Sequence, residues 1–169
     1  IKVVYQPYPK SFEEICAYFI QIGDMVGQAA KAKEIVAQQK ARLAKLKANV
    51  PDGKNPKVFI QIGAKPLFCA VPETFMDDFI RFSGGENIAS GFKIGSITRE
   101  YVLKQNPDFI FIVTMGIVAQ EEKDTWLGYS ALSASKSKNI FILDADKTCS
   151  PTPILFLDAL EEMIKLMYQ

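Results

Sequence analysis

The chain has 169 residues, 49% of them apolar and 23% charged, which is enough for one domain with a buried core. Its 20 basic and 19 acidic residues nearly cancel, so nucleic acid is not expected as a partner. The chain has no histidine, which excludes imidazole-based catalysis and histidine-ligated zinc.

The first 56 residues predict helices rather than a compact domain. Residues 1–5 alternate like the end of a strand, and two prolines then interrupt regular structure. Apolar residues recur at helical spacing over 12–27, with Ser11 as a fair N-cap. A second helix with a narrow apolar face is predicted over 28–48. The turn-rich segment 51–56 ends it and marks the clearest internal boundary.

Strands and helices alternate after residue 56. The strands are predicted at 57–62, 108–113 and 139–143. The helical patterns lie at 73–82, 98–105, 119–123 and 152–168. This alternation predicts a three-layer α/β lobe with a largely parallel central sheet and helices on both faces, preceded by a long connecting helix.

The loops after the predicted strands carry the candidate ligand contacts, because open α/β sheets bind ligands where their strands end. The first loop places Leu67 and Phe68 where a purely structural connection would carry polar residues. Phe68 is either a wall of the ligand site or an anchor of the loop in the core. The second loop contributes Met115.

The third loop leads into the N-terminus of the last predicted helix, whose free backbone N–H groups can hold an anion or a ligand carbonyl. Asp146 and Thr148 are its candidate ligand contacts. The alternative is that Asp146, Thr148 or Ser150 simply caps that helix.

Three cysteines are too few for a disulfide scaffold or a closed thiolate zinc site. Cys69 and Cys149 both follow predicted strands and are candidate ligand contacts, whereas Cys16 lies in the first helix. The first two could form a soft-metal pair, a disulfide or a thiolate–cofactor bond, or be two unrelated small residues.

Motifs typical of enzymes are missing from the sequence. Neither G-x-x-x-x-G-K-[ST] nor G-x-G-x-x-G nor G-x-S-x-G occurs. The acidic pair Glu121 and Glu122 lies in a polar run and predicts a solvated helix face. Gly84 and Gly85 follow a helix and predict its C-terminal turn. We therefore expect no catalytic residue, no metal ligand and no cofactor.

Several motifs from Val58 onward, taken in order, resemble the C-terminal lobe of the ABC-importer solute-binding proteins for vitamin B12, siderophores and haem. The matching segments are 79–88, with its Gly-Gly-x-Asn ending, 96–103, 106–111, 126–131 and 138–144. Residues 11–46 resemble the family's approach to the inter-lobe helix and its passage along that helix. The resemblance implies that 1–56 is the end of an N-terminal lobe with the connector, and that 57–169 is the C-terminal ligand-binding lobe. Most of the N-terminal lobe is expected outside this chain.

The resemblance implies roles for single residues. Phe68 is similar to an aromatic ligand contact of vitamin B12-binding members. Glu100 matches the acidic residue that docks onto an arginine of the permease, and its alternative role is to stabilise the helix dipole. Ile94 stands where vitamin B12-binding members have a tryptophan, and Thr148 where they have an arginine. These departures and the lack of histidine favour a ferric siderophore over cobalamin or haem.

The resemblance therefore implies a periplasmic or extracellular, membrane-anchored component of an ABC importer that carries a metal chelate to its permease. No stretch reaches the roughly 20 apolar residues of a membrane span, so we expect membrane contact only through the permease or a lipid anchor outside this chain. Two alternatives differ in class. A cofactor-using α/β enzyme domain would need a phosphate-binding loop. A ligand-free interaction module, such as a receiver, would need acidic residues clustered at strand ends and a lysine after a late strand, and Asp144 and Lys147 are a poor match to this pattern.

Overall fold

The computed structural model describes residues 3–113 and 118–169. The helices in these ranges are α1 (Phe12–Met25), α2 (Ala29–Ala48), α3 (Phe75–Phe82), α4 (Arg99–Gln105), α5 (Val118–Leu127), α6 (Ser133–Lys136), α7 (Ala145–Thr148) and α8 (Pro153–Tyr168). The strands are β1 (Lys57–Ala64), β2 (Leu67–Cys69), β3 (Glu86–Asn87), β4 (Phe109–Ile112) and β5 (Ile140–Ile142). No helix in the described ranges has the length and apolar character needed to cross a membrane.

The described strands form one sheet with β1 near its centre. β1 pairs with β4 on one side and with β2 and β3 on the other, and β4 pairs with β5. All these pairings are parallel except that of β1 with β2. The three predicted strands and their largely parallel arrangement are confirmed. The sequence did not predict β2 and β3, because elements of two or three residues carry no periodic signal.

Helices cover both faces of the sheet, as predicted for a three-layer α/β lobe. Val58 and Ile60 of β1 enter one core cluster, which receives side chains from α1, α2, α3 and α8. Phe59 points to the other face and joins a second cluster with side chains from α4, α5 and α6. This division follows from the two-residue period of a strand, which sends neighbouring side chains to opposite faces.

Both helices of the predicted connector pack on the lobe. Phe12 of α1 is fully buried, and its ring lies 4.8 Å from that of Phe156 in α8, centroid to centroid. The longer α2 buries only two residues, Ala32 and Val36, in keeping with its predicted narrow apolar face. The division of the chain at residue 56 remains a prediction.

The predictions for the first and last elements of the chain had different outcomes. The prediction of a strand over 1–5 is wrong for residues 3–5, which form no strand, because no strand in the described ranges lies beside them. Val3 and Tyr5 are accordingly exposed. The last helix begins at Pro153, close to the predicted start at residue 152.

The parallel strands β1, β4 and β5 end at the same edge of the sheet, which we call the carboxyl edge. Three helices, α3, α4 and α8, run back from this edge. Tyr168, the last residue of α8, donates a hydrogen bond from its hydroxyl to the Ser83 carbonyl at the end of α3 (2.8 Å). Beyond α4, the Asp108 N–H binds the Lys57 carbonyl at the first residue of β1 (2.8 Å). The N-termini of α3, α4 and α8 therefore lie toward the carboxyl edge.

Asp78 of α3 fixes the start of α1. Its buried carboxylate accepts a hydrogen bond from the backbone N–H of Phe12 (2.7 Å) and forms an ion pair with Arg81. The N–H groups in the first turn of a helix have no partner within the helix, so this carboxylate satisfies one of them in the core.

Replacing Asp78 with alanine leaves the Phe12 N–H buried without a partner. We expect Asp78→Ala to lower the free energy of unfolding by about 1–3 kcal/mol, measured by urea denaturation followed by circular dichroism. Asp52→Ala, in the exposed turn before β1, is the control and should change it by less than about 0.5 kcal/mol. Equal losses in the two variants would contradict the anchoring role.

Candidate functional site

The best-defined part of the carboxyl edge is the hairpin formed by β1 and β2. Ala64 pairs with Leu67 and Gly63 with Phe68, and a bulge follows Gln61. Phe68 is 39% exposed, whereas Leu67 and Cys69 on either side of it are buried. This alternation is expected of a strand with one face on the core. Phe68 is therefore presented at the surface and is not the core anchor of the alternative interpretation.

Residues 94–96 lie against the hairpin. The Cys69 N–H binds the Gly95 carbonyl (2.9 Å), and Phe68 forms an antiparallel bridge with Ser96. A Cβ atom on Gly95 would lie 2.7 Å from Cε1 of Phe68, so only glycine lets the ring lie against this backbone. Ile94, the preceding residue, is 70% exposed. Phe68 and Ile94 thus lie on two adjoining segments and both expose apolar surface.

Leu67 and Cys69, which we predicted as ligand contacts, are core residues. Both belong to the cluster that contains Phe59 and Trp126. Their side chains support the hairpin from below and are not offered to a ligand at the surface. The sequence could not separate them from Phe68, because the three residues are too few to indicate a strand.

The third loop folds into the short helix α7 before α8 begins. The Asp144 carboxylate caps α7 by accepting a hydrogen bond from the Asp146 N–H (2.9 Å). Thr148 is 1% exposed, and its hydroxyl donates to the Asp144 carbonyl (2.7 Å). Thr148 is therefore a buried structural residue, which corrects its prediction as a ligand contact. Asp146 is exposed and Cys149 is half-buried.

The last helix is capped by a residue that we did not single out. The Thr152 hydroxyl accepts a hydrogen bond from the Leu155 N–H (3.2 Å). The alternative that Asp146, Thr148 or Ser150 caps this helix is therefore wrong. The remaining candidate contact, Met115, lies outside the described residues.

A groove of about 500 Å³ adjoins the hairpin. It is lined by residues 71–74, which follow β2, and 90–93, which precede Ile94. None of the predicted contacts lines it. Lys10 and Glu73 come within 3.9 Å of each other near this groove, but both side chains are well exposed, so their attraction is weak.

The three cysteines are free thiols. Cys69 lies in one core cluster, and Cys149 packs against the other cluster, on the opposite face of the sheet. Burial, the largest cause, raises the pKa of both Cys16 and Cys69 to about 11. Burial and the nearby charge of Asp146 also raise the pKa of Cys149. In residues 3–113 and 118–169, no cluster of three or more histidine, cysteine or acidic side chains is arranged to hold a metal ion.

This placement predicts a defined order of thiol reactivity. The thiolate is the reactive form, and a raised pKa makes it scarce at neutral pH. We expect iodoacetamide to label the half-buried Cys149 slowly in the native protein, and Cys16 and Cys69 only after unfolding in urea, as read by peptide mass spectrometry. A thiol count in denaturant without reductant should give three. A count of one would indicate that two of the three thiols form a disulfide and would contradict the placement.

Glu100 lies in the first turn of α4 with an exposed side chain. Thr98 caps this helix by accepting a hydrogen bond from the Tyr101 N–H (3.2 Å). The pKa of the Glu100 carboxyl is lowered, first by a hydrogen bond from its own backbone N–H, then by the Thr98 hydroxyl, and further by the charge of Arg99. Glu100 therefore stays ionised at neutral pH.

A buried polar network formed by Gln61, Arg99, Glu122 and Trp126 lies beneath this turn, and we call it the Gln61 network. Gln61 donates to the Glu122 carboxylate (2.8 Å) and accepts from the Trp126 indole N–H (2.6 Å). Arg99 donates to the same carboxylate oxygen. Its guanidinium also lies 4.7 Å from the Trp126 ring. The network joins β1, α4 and α5.

The prediction that Glu121 and Glu122 form a solvated helix face is wrong for Glu122, which is 4% exposed. The charged residues around Glu122 in the sequence gave no indication that it is buried. One signal was available, because Glu122 stands four residues before Trp126 and so lies on the same face of α5 as the apolar ring.

The fold is an α/β lobe whose carboxyl edge carries an exposed aromatic hairpin, and open sheets of this kind bind ligands at that edge. The model of the periplasmic binding protein family matches residues 1–147, so the chain belongs to this family. The resemblance that we noted in the sequence is thereby confirmed.

Two curated relatives match part of the chain. A cobalamin-binding protein of Halobacterium salinarum is 31% identical over 104 residues, which are 58% of this chain and 27% of that protein. A vitamin B12-binding protein of Pectobacterium carotovorum is 27% identical over 108 residues, 61% of this chain and 39% of that protein. The match thus spans between 27% and 39% of the length of these relatives.

Solved structures share the fold over nearly the whole chain. A possible iron-binding, periplasmic solute-binding protein of Staphylococcus epidermidis has a TM-score of 0.86 at 26% identity, covering 100% of this chain and 67% of that one. The vitamin B12-binding protein of Vibrio cholerae has a TM-score of 0.81 at 23% identity, covering 98% and 64%. The haem-binding protein of the same species has a TM-score of 0.79 at 20% identity, covering 100% and 68%.

Proposed function

We propose that this chain is the C-terminal ligand-binding lobe of the substrate-binding component of an ABC importer for metal chelates. The exposed Phe68 on its hairpin at the carboxyl edge is the observation that carries this proposal. An apolar ring at the open edge of a sheet suits the organic surface of a chelate better than it suits solvent. Membership of the periplasmic binding protein family supports a binding role rather than catalysis.

A ferric siderophore is the ligand that we propose first. Phe68 and Ile94 offer apolar surface, but Ile94 has no flat ring to stack on a corrin, and Thr148 is buried and uncharged. The chain supplies no histidine for a haem iron. Cobalamin is the second candidate, because two relatives carry it in their names. In either case the metal arrives already chelated, so the lobe needs to recognise only the organic shell.

The proposed working cycle takes place in the periplasm or at the outer face of the membrane. The lobe closes with a second lobe over the chelate, and α2 restricts this movement to a small hinge. Arg42 attaches α2 to α8 through ion pairs to Asp158 and Glu161, each 2.6 Å long. The loaded protein then docks onto the permease through Glu100, and the exposed, ionised carboxylate suits a rim contact with an arginine.

The first test concerns the ligand wall. In the intact binding protein, Phe68→Ala should weaken chelate binding about 10-fold, since it removes apolar contact worth about 1–2 kcal/mol. The measurement is calorimetric titration with a panel of ferric siderophores, cobalamin and haem. Leu127→Ala is the matched control, because Leu127 is 38% exposed but lies at the far end of α5. Unchanged affinity in the Phe68 variant for a chelate that the wild type binds would contradict the proposal.

The second test concerns docking. Glu100→Lys should reduce binding to the permease at least about 10-fold and leave chelate affinity unchanged, because it places two like charges at a rim contact. Glu86→Lys makes the same charge reversal at the exposed first residue of β3 and should have no effect on binding to the permease. Because the pKa of Glu100 is lowered, wild-type docking should not weaken between about pH 8 and pH 5 through this residue. A loss of chelate affinity alone would refute the docking role.

A further inference from the structure

Arg99 links the proposed docking residue to the buried Gln61 network. Arg99 and Glu100 are the first two residues of α4, but they point to different environments. Glu100 is exposed, whereas Arg99 is about three-quarters buried, with 24% of its side chain accessible. Arg99 donates to the Glu122 carboxylate and stacks over the Trp126 ring. The two neighbours therefore form an inner anchor and an outer charge on one turn of helix.

The inner anchor is strong because Glu122 cannot be left unpaired. Only 6% of its side chain is accessible, and a buried carboxylate is costly unless donors satisfy it. Gln61 supplies one donor and Arg99 supplies the charged one. If the first turn of α4 moved outward, Glu122 would lose its counter-charge. The free-energy cost of leaving that carboxylate without its counter-charge in apolar surroundings therefore holds the turn in place.

Other side chains also hold this turn. α4 has seven residues, and Val102 is the one among them that is fully buried. The Thr98 cap satisfies a backbone N–H within the same turn and does not attach the turn to the sheet. Tyr101, in the same turn, donates a hydrogen bond from its hydroxyl to the Ile88 carbonyl (3.1 Å). Arg99 therefore shares the attachment of the start of α4 with Tyr101 and Val102, and its own contribution is the ion pair with Glu122.

We propose that Arg99 is a positioning residue for permease docking, which sets the orientation of Glu100 through its ion pair with Glu122 and its stacking on Trp126. This inference rests on the proposed docking role of Glu100. A rim contact between two charges depends on where each charge lies. If the turn tilted by a few ångströms, the Glu100 carboxylate would move out of reach of the permease arginine. The network supplies the rigid base that such a contact needs.

The test removes the ion pair without leaving a bare buried charge. The double variant Arg99→Met with Glu122→Gln keeps the apolar stem at position 99, and its amide oxygen at position 122 can still accept from Gln61. In the intact binding protein we expect it to weaken binding to the permease about 5- to 10-fold and to leave chelate affinity within about 2-fold. The matched control is Lys40→Met with Glu13→Gln, which breaks an ion pair of 2.6 Å between α2 and α1 and should leave docking unchanged.

A double-mutant cycle separates positioning from a general loss of structure. In a Glu100→Gln background, the same change at 99 and 122 should weaken docking less than about 2-fold further, because a positioning residue acts only through the group that it orients. An equal further loss in that background overturns the inference. Should Glu100→Gln weaken docking while the double variant does not, the positioning role alone is refuted. If Glu100→Gln itself has no effect, the docking role fails, and the inference fails with it.

Discussion

Burying the Glu122 carboxylate between the sheet and its covering helices is possible only because two donors from different parts of the chain meet it. Gln61 reaches it from the middle of β1 and Arg99 from the start of α4. Without these donors the carboxylate would be more stable in solvent than in the core. Because both donors must stay in place, β1, α4 and α5 are fixed relative to one another more tightly than by apolar packing alone. Apolar surfaces can shift against each other at little cost, whereas these hydrogen bonds form in only one relative position of the three elements.

The two surfaces to which we assign a function both rest on that constraint. On one side, Gln61 is the last residue before the bulge that leads into the Phe68 hairpin, and its amide also reaches the Gly63 carbonyl (3.3 Å). On the other side, Arg99 precedes Glu100 directly. The proposed ligand wall and the proposed docking charge are thus carried by neighbouring parts of one rigid unit.

The sequence predicted the long elements well, and the site only in part. The helices over 12–27, 28–48 and 152–168 and the apolar strands carry enough repeats for their period to be legible. The elements that shape the site are short. β2 has three residues and α7 has four, so neither has a period, and the residues in them were all treated as loop. That is why Leu67, Cys69 and Thr148 were expected to face a ligand and instead are buried. For Phe68 the sequence left two interpretations open, and its exposure in the structure decides between them.

By itself, then, the sequence determined the class of fold, the family resemblance and the lack of imidazole chemistry. These follow from composition, from local periodicity and from the order of motifs, which are properties of neighbouring residues. Only the tertiary structure decided which side of the backbone each short-element residue faces, that Cys69 and Cys149 lie on opposite faces of the sheet, and that Glu122 is buried. Such facts depend on partners up to 65 residues away, as between Gln61 and Trp126, and no local pattern encodes a contact of that range.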